Sequence, residues 1–197
     1  MFCTPCAKLY VMKALRPLAN GIVAAVLLIG AGLLPAFADE ARLDALFAQL
    51  QAADDQDAVA ITQNIWIEWS KSGSASMDLL LQRGQAAMAA GDAKTAIDHL
   101  TALIDHAPDF SEGYNARATA YFQIGQLGLS IADIQKTLAL NPRHFGALSG
   151  LGMIFEQLNE PDKAVEVYRE ALTINPHLKD LRGAVKRLDA QLGGQEL

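Results

Sequence analysis

Cysteine is nearly missing from this sequence: Cys3 and Cys6 are the only two in 197 residues, and both precede its longest apolar run. A domain formed after that run has no disulfide, thiolate metal site or cysteine nucleophile, and no cysteine follows that could carry a lipid. The Cys-Thr-Pro-Cys spacing would suggest a redox or metal pair inside a folded domain, but here it belongs to a leader. Basic charge is also short, with 16 Lys and Arg against 22 Asp and Glu. Repulsion from phosphate opposes nucleic-acid binding by such a chain. The sequence lacks a phosphate-cradling glycine loop, a Gly-x-Ser-x-Gly elbow and a His-Glu-x-x-His helix. An enzyme is therefore not expected, nor a cofactor, nor a metal.

What stands at the N-terminus is a leader pattern. Lys8, Lys13 and Arg16 precede the uncharged run Gly21–Ala38, which ends in Ala36-Phe37-Ala38 and is followed by Asp39-Glu40. Positive, apolar, then small-x-small is the order of a secretory signal peptide. A retained membrane anchor is the competing reading, but a span needs about 20 apolar residues, and this run is shorter and contains Pro35. Met12 also begins a leader of its own, so translation could start there. Cleavage after Ala38 would remove three basic residues and no acid, leaving a net charge of −9. The expected product is exported, to the periplasm of a Gram-negative bacterium, with no membrane span after cleavage.

The strongest signal is a period. Pro108, Pro142 and Pro176 are 34 residues apart. Blocks starting at Met77, Ser111 and Phe145 align further positions: Gly84, Ala118 and Gly152 at position 8, and Ala96, Ser130 and Ala164 at position 20, are all small. Leu80, Tyr114 and Leu148, then Leu100, Ile134 and Tyr168, then Ile104, Leu138 and Leu172 add an apolar stripe at helical spacing to both halves of each block. Gly91 ends a helix and Asp92 caps the next, Pro161 suits a first turn, and each X-Pro pair stops the second helix.

Helix, turn, helix, stop at 34 residues resembles the tetratricopeptide repeat. The third block matches best, with Leu148, Leu151, Gly152, Phe155, Ala164, Tyr168, Ala171 and Pro176 at signature positions; the first is weaker, with Arg83 and Ala87 where Leu and a large aromatic are usual. The resemblance implies an all-α, right-handed solenoid of three helix pairs, 77–110, 111–144 and 145–178. Residues 39–75 read as a helical hairpin, either a cap on the first repeat or a degenerate fourth one. Residues 179–197 read as a capping helix and tail, with a stripe of Leu178, Leu181, Val185, Leu188 and Leu192.

Such an array presents the first helix of each pair along a concave face. In the resembling family positions 2, 5, 9 and 12 of the block line it: here Asp78, Leu81, Gln85 and Met88; Glu112, Asn115, Thr119 and Phe122; Gly146, Ser149, Met153 and Glu156. None is Lys or Arg, and only Asn115 fits the family's clamp for acidic tails. Apolar residues among amides and acids suit a neutral or basic amphipathic polypeptide. The expected function is thus a non-catalytic scaffold or adaptor of the cell envelope that binds a partner there; the alternative is a self-assembling structural module. His99 and His106 lie roughly 10 Å apart along one helix, too far to share a metal. Neither His144 nor His177 has a carboxylate at ligand spacing, so all four histidines are expected at the surface or at boundaries. Gly146, Gly150 and Gly152 fall inside a helix and read as packing residues, not a nucleotide fingerprint. Trp66 and Trp69 read as core or cap residues, with a partner anchor as the alternative. Lys179, Arg182, Lys186 and Arg187 form a basic edge, either solvated or facing anionic lipid or an acidic partner.

Overall fold

The computed structural model describes residues 34–193, with side chains from Glu40 onward. Cys3, Cys6 and the expected leader lie outside the described residues, except that Leu34–Ala38 open the first helix. Among the described residues there are nine α-helices and no strand: α1 Leu34–Ala52, α2 Asp57–Trp69, α3 Ala75–Ala89, α4 Ala93–His106, α5 Ser111–Gln123, α6 Leu127–Leu140, α7 Phe145–Gln157, α8 Pro161–Ile174 and α9 Lys179–Gly193. The chain divides into two compact units within α1, between Asp44 and Ala45; the second unit, 45–197, holds the repeats.

Helices α3/α4, α5/α6 and α7/α8 form the three antiparallel pairs, and α3, α5 and α7 also touch in succession, so the first helices make one row. The turn inside each pair has one solution used three times. Gly91, Gly125 and Asn159 adopt the left-handed region, with φ of 78°, 72° and 58°. The next residue closes each turn: Asp92 N–H donates to the Ala87 carbonyl, Gln126 N–H to Tyr121 and Glu160 N–H to Phe155, each at 2.9 Å. That is the Schellman closure, which favours glycine and tolerates asparagine. Asp92 then caps α4, its side chain accepting from Thr95 N–H at 3.1 Å, and Pro161 starts α8 where no donor is needed.

The small residues expected at close crossings are there for the expected reason. A Cβ on Gly84 would stand 2.6 Å from Leu100 Cγ, and one on Gly152 would stand 2.5 Å from Tyr168 Cδ1. In the second repeat Ala118 meets Ile134 in the core, and the Ser130 hydroxyl donates to the Ala118 carbonyl at 2.8 Å. Positions 8 and 24 thus pack against each other in all three pairs. Between repeats, the Arg117 guanidinium grips Asp133 through Nε and Nη2 at 2.8 and 2.9 Å and donates from Nη1 to Thr101 Oγ1, tying α4, α5 and α6 together. At the C-terminal end, Leu188 is buried against Ala164, Val165 and Tyr168, with Leu181, Val185 and Leu192 beside it. The apolar stripe of α9 closes the third repeat.

The N-terminal hairpin differs from its expected place. Its turn is built as read, with the Asp54 carboxylate accepting from Gln56 and Asp57 N–H at 2.9 Å. Its side chains reach residues 143–146, where the second repeat passes into the third, and the end of α8. Gln51 Nε2 donates to the Thr173 and Ile174 carbonyls at the end of α8, Asn175 Nδ2 donates to Thr62, and the Arg143 guanidinium lies 4.5 Å over the Phe47 ring. The cause is aromatic: Trp66 and Trp69 find their partners at residues 144–146.

Candidate functional site

The concave row is formed by α3, α5 and α7. Of the residues expected to line it, Gln85, Thr119 and Met153 are exposed, while Met88, Asn115, Phe122 and Ser149 are half-buried. Between α5 and α7 they border a slot of about 100 Å³, lined by Asn115, Thr119, Phe122, Gly150 and Met153 over a floor that includes Ser130 and Ile134. Met153 is 49% exposed at its rim. Gly150 keeps the slot open, because it offers no side chain between Ala147 and Met153. Its contribution was hidden in the sequence, where the glycine was assigned to packing.

Four of the expected lining residues do other work. Leu81 is 1% exposed and belongs to the core of the first repeat with Leu100, Leu103 and Ala120. Asp78 accepts from both the backbone N–H and the hydroxyl of Ser72, at 2.8 and 2.6 Å, fixing the linker before α3. Glu156 accepts from the Tyr168 hydroxyl at 2.8 Å and pairs with Arg187 at 2.6 Å. Burial, with Glu156 next to it, pushes the Tyr168 phenol well above its ordinary range.

Glu112 is 4% exposed and held by His144 Nε2 at 3.0 Å and by Asn115 Nδ2 at 3.1 Å. The acids of the face are thus tied by hydrogen bonds to neighbours within the chain, and Glu156 is also paired with the Arg187 cation.

The histidine reading needs correction as well. His144 is 0% exposed. Its Nδ1 accepts from Ala147 N–H at 3.0 Å and caps α7, so Nε2 carries the proton that is donated to Glu112. The Trp69 ring stacks on its other face, centroids 4.3 Å apart and planes 15° from parallel. Glu112 precedes it by 32 residues, a separation at which no local spacing rule could have shown the pair. His177 likewise meets a carboxylate through space, Asp55 at 2.8 Å from Nδ1, and its Nε2 contacts the Leu50 carbonyl at 3.0 Å. Arg182 and then His177 hold the Asp55 carboxyl well below the usual carboxylate range. Three members of the basic edge are paired in the same way: Arg182 and Lys179 with Asp55, Arg187 with Glu156. Lys186 remains exposed.

Trp66 sits on Gly146, where a Cβ would come within 2.9 Å of Trp66 Cζ2, and meets Phe145 edge-on at 5.6 Å. Trp69 contacts the same Phe145 at 4.9 Å. The tryptophan pair therefore covers the start of α7, including the groove position Gly146. Beside it, between α2 and the α8–α9 turn, a cleft of about 490 Å³ stays open, lined in part by Val59, Thr62, Trp66, Leu178 and Leu181. Among the described residues no cluster of His, Cys, Asp and Glu could hold a metal, and no helix is long and apolar enough to cross a membrane.

Comparison with known proteins agrees with this architecture. The family model described as Tetratricopeptide repeat matches residues 81–137 and 115–178. A TPR repeat-containing protein of Rhizobium etli is 36% identical over 154 residues, which cover 78% of this chain and 76% of that protein. Hsp70-Hsp90 organizing protein 1 of Glycine max is 29% identical over 97 residues, 49% of this chain but only 17% of that protein. Among solved structures, the first TPR of Spaghetti bound to the HSP90 peptide SRMEEVD aligns with a TM-score of 0.57 at 23% identity, covering 59% of this chain and 93% of that one. MamA aligns with a TM-score of 0.56 at 23% identity, covering 74% and 83%. With the 34-residue period, the thrice-repeated turn and the small-residue crossings, these matches settle the classification: the chain belongs to the tetratricopeptide repeat family.

Proposed function

We propose that the concave face holds a polypeptide partner, with an apolar side chain of that partner entering the slot between Phe122 and Met153. The slot carries this reading: it is a recess on the first-helix row, apolar in its walls, with Asn115 and Thr119 at its edge to receive backbone groups. Tetratricopeptide proteins such as the Spaghetti domain, whose structure holds an HSP90 peptide, give the precedent for a peptide on this fold. The partner differs in chemistry from an acidic tail. No Lys or Arg stands among the lining residues, and the acids there are paired within the chain, so a neutral, amphipathic segment fits best. The role is that of a scaffold or adaptor without chemistry of its own, since the titratable groups of the face serve as caps and braces. The leader pattern of the sequence supports a role in the cell envelope of a bacterium, after cleavage behind Ala38.

The test is crosslinked capture from the envelope fraction, comparing the wild-type chain with Phe122→Glu/Met153→Glu and identifying what each retains by mass spectrometry. A protein lost only with the double variant names the partner and the face. Identical sets, or copies of this chain alone, would overturn the reading in favour of self-assembly.

A further inference from the structure

We propose that Glu112 and His144 are positioning residues for the partner: they hold the Asn115 amide so that it reads the main chain of an extended segment whose apolar side chain enters the slot. The inference deepens the reading of the slot as the partner's seat and rests on it. Ala147 N–H donates to His144 Nδ1, so Nε2 is the nitrogen that donates to Glu112 Oε2, at 3.0 Å. Asn115 Nδ2 donates to the same oxygen at 3.1 Å. A carboxylate oxygen accepts and has nothing to donate, so Asn115 is not free to turn its carbonyl toward Glu112. Oδ1 and the second N–H of Asn115 are left for the slot, whose wall Asn115 forms beside Thr119 and Gly150. An acceptor and a donor side by side match the N–H and C=O of a peptide unit, and the interior of a helix, where the main chain is bonded to itself, has neither to offer. The partner is thus extended where it crosses Asn115.

The repeat fold forms without this chain of bonds. In the first repeat the positions of Glu112, Asn115 and His144 are held by Asp78, Leu81 and Phe110, and in the third by Gly146, Ser149 and Leu178. Both repeats build the same helix pair and the same left-handed turn. A buried carboxylate is costly to keep where apolar residues do the same packing. Of the three repeats it stands only in the second, whose first helix carries Asn115, Thr119 and Phe122 into the slot. Glu112 is 4% exposed and His144 0%, out of a partner's direct reach, so their effect on binding passes through Asn115.

The probe is the neutral blocked peptide acetyl-Ala-Ala-Leu-Ala-Ala-amide, titrated into the isotope-labelled full chain and followed by nuclear magnetic resonance at the Asn115 side-chain amide and the Phe122 and Met153 backbone amides. Asn115→Ala and Glu112→Leu are each expected to weaken its binding about fivefold, the loss of one hydrogen bond. Glu112→Gln should stay within about twofold of wild type, because one carbonyl oxygen can accept from both His144 and Asn115. A merely structural pair would lower stability and leave the affinity alone, as Leu103→Val in the core of the first repeat should. Should Glu112→Leu fail to fold, Glu112→Leu/His144→Phe takes its place with the same expected loss, since it supplies the ring that Phe110 gives the first repeat. Wild-type affinity in the folded apolar variant, or equal losses for Glu112→Gln and Glu112→Leu, overturns the proposal and leaves the slot standing. A peptide that shifts none of these signals in wild type sinks the slot reading and this inference with it.

Discussion

Replacing His144 by alanine should destabilise this chain more than any other histidine substitution, and the structure allows the size to be worked out. The imidazole caps α7 through Ala147 N–H, and loss of a side-chain cap costs about 1 kcal/mol. It also donates to Glu112; without it a buried carboxylate keeps one donor, Asn115, which costs about 2 kcal/mol. The stack on Trp69 adds about 1 kcal/mol. Because these share one ring they do not simply add, and a net loss of about 3–4 kcal/mol is expected, or roughly 6–16 °C in Tm for a chain of this size. The assay is urea and thermal melting followed by circular dichroism and by tryptophan emission, since Trp69 is the ring's partner. His106→Ala, on an exposed last turn, is the control and should change stability by less than about 0.5 kcal/mol. A His144→Ala loss below about 1 kcal/mol would refute the reasoning, because it would mean that the cap, the carboxylate and the stack are dispensable together.

Two neighbouring glycines should behave oppositely. Gly152→Ala drives a methyl into the Tyr168 ring and should cost about 1–3 kcal/mol in chemical denaturation, whereas Gly150→Ala meets only Ile134 Cδ1 at 3.7 Å and should be neutral or slightly stabilising. Equal costs would count against the crossing geometry. Asp55 gives a pH signature. Its folded-state pKa is depressed, so its contribution is complete above the ordinary carboxylate range and is lost as pH falls through and below that range. Tryptophan emission of the wild type should hold steady from pH 8 to about 5 and move toward that of Asp55→Asn under stronger acid; a transition near neutrality would point to a different group.

The repeats were open to sequence reasoning because their cause is local. A 34-residue period, small residues at positions 8 and 20 and a proline after each second helix follow from chain geometry within one block, and the structure places Gly84, Ala96, Ser130 and Gly152 in those crossings. The left-handed turn was legible at Gly91 and went unread at Gly125 and Asn159, although all three share one block position. The pairings of the face were hidden for the opposite reason. Glu112 with His144, Asp55 with Arg182 and Trp69 with His144 join residues 32, 127 and 75 positions apart, and nothing in either local sequence marks its partner. Leu81 shows the limit of carrying over family positions one by one: position 5 of the first repeat is a core residue, packed with Leu100 and Leu103.

Charge offers the sharpest way to tell the proposed partner from the acidic tails held by similar folds. An acidic ligand would need a clamp of cations, and a basic one would need acids with free oxygens facing the groove. The cation clamp is absent, since the lining has no Lys or Arg; of the acids, Glu112 is buried beside His144, Glu156 is bridged to Tyr168 and Arg187, and Asp78 accepts from Ser72. What remains accessible is Gln85, Met88, Asn115, Thr119, Phe122 and Met153. Binding by such a surface draws on apolar burial and amide hydrogen bonds, which salt does not screen. Raising salt shortens the screening length from about 10 Å at 0.1 M to about 3 Å at 1 M, and a single exposed ion pair lost in this way is worth about 0.2–1 kcal/mol. The affinity of the captured partner, measured by calorimetry, should therefore change by less than about threefold between 0.05 and 0.5 M sodium chloride. A tenfold weakening corresponds to about 1.4 kcal/mol and requires several charge pairs across the interface. That result would move the binding site off the Phe122–Met153 face and onto a charged surface such as the one around Lys186.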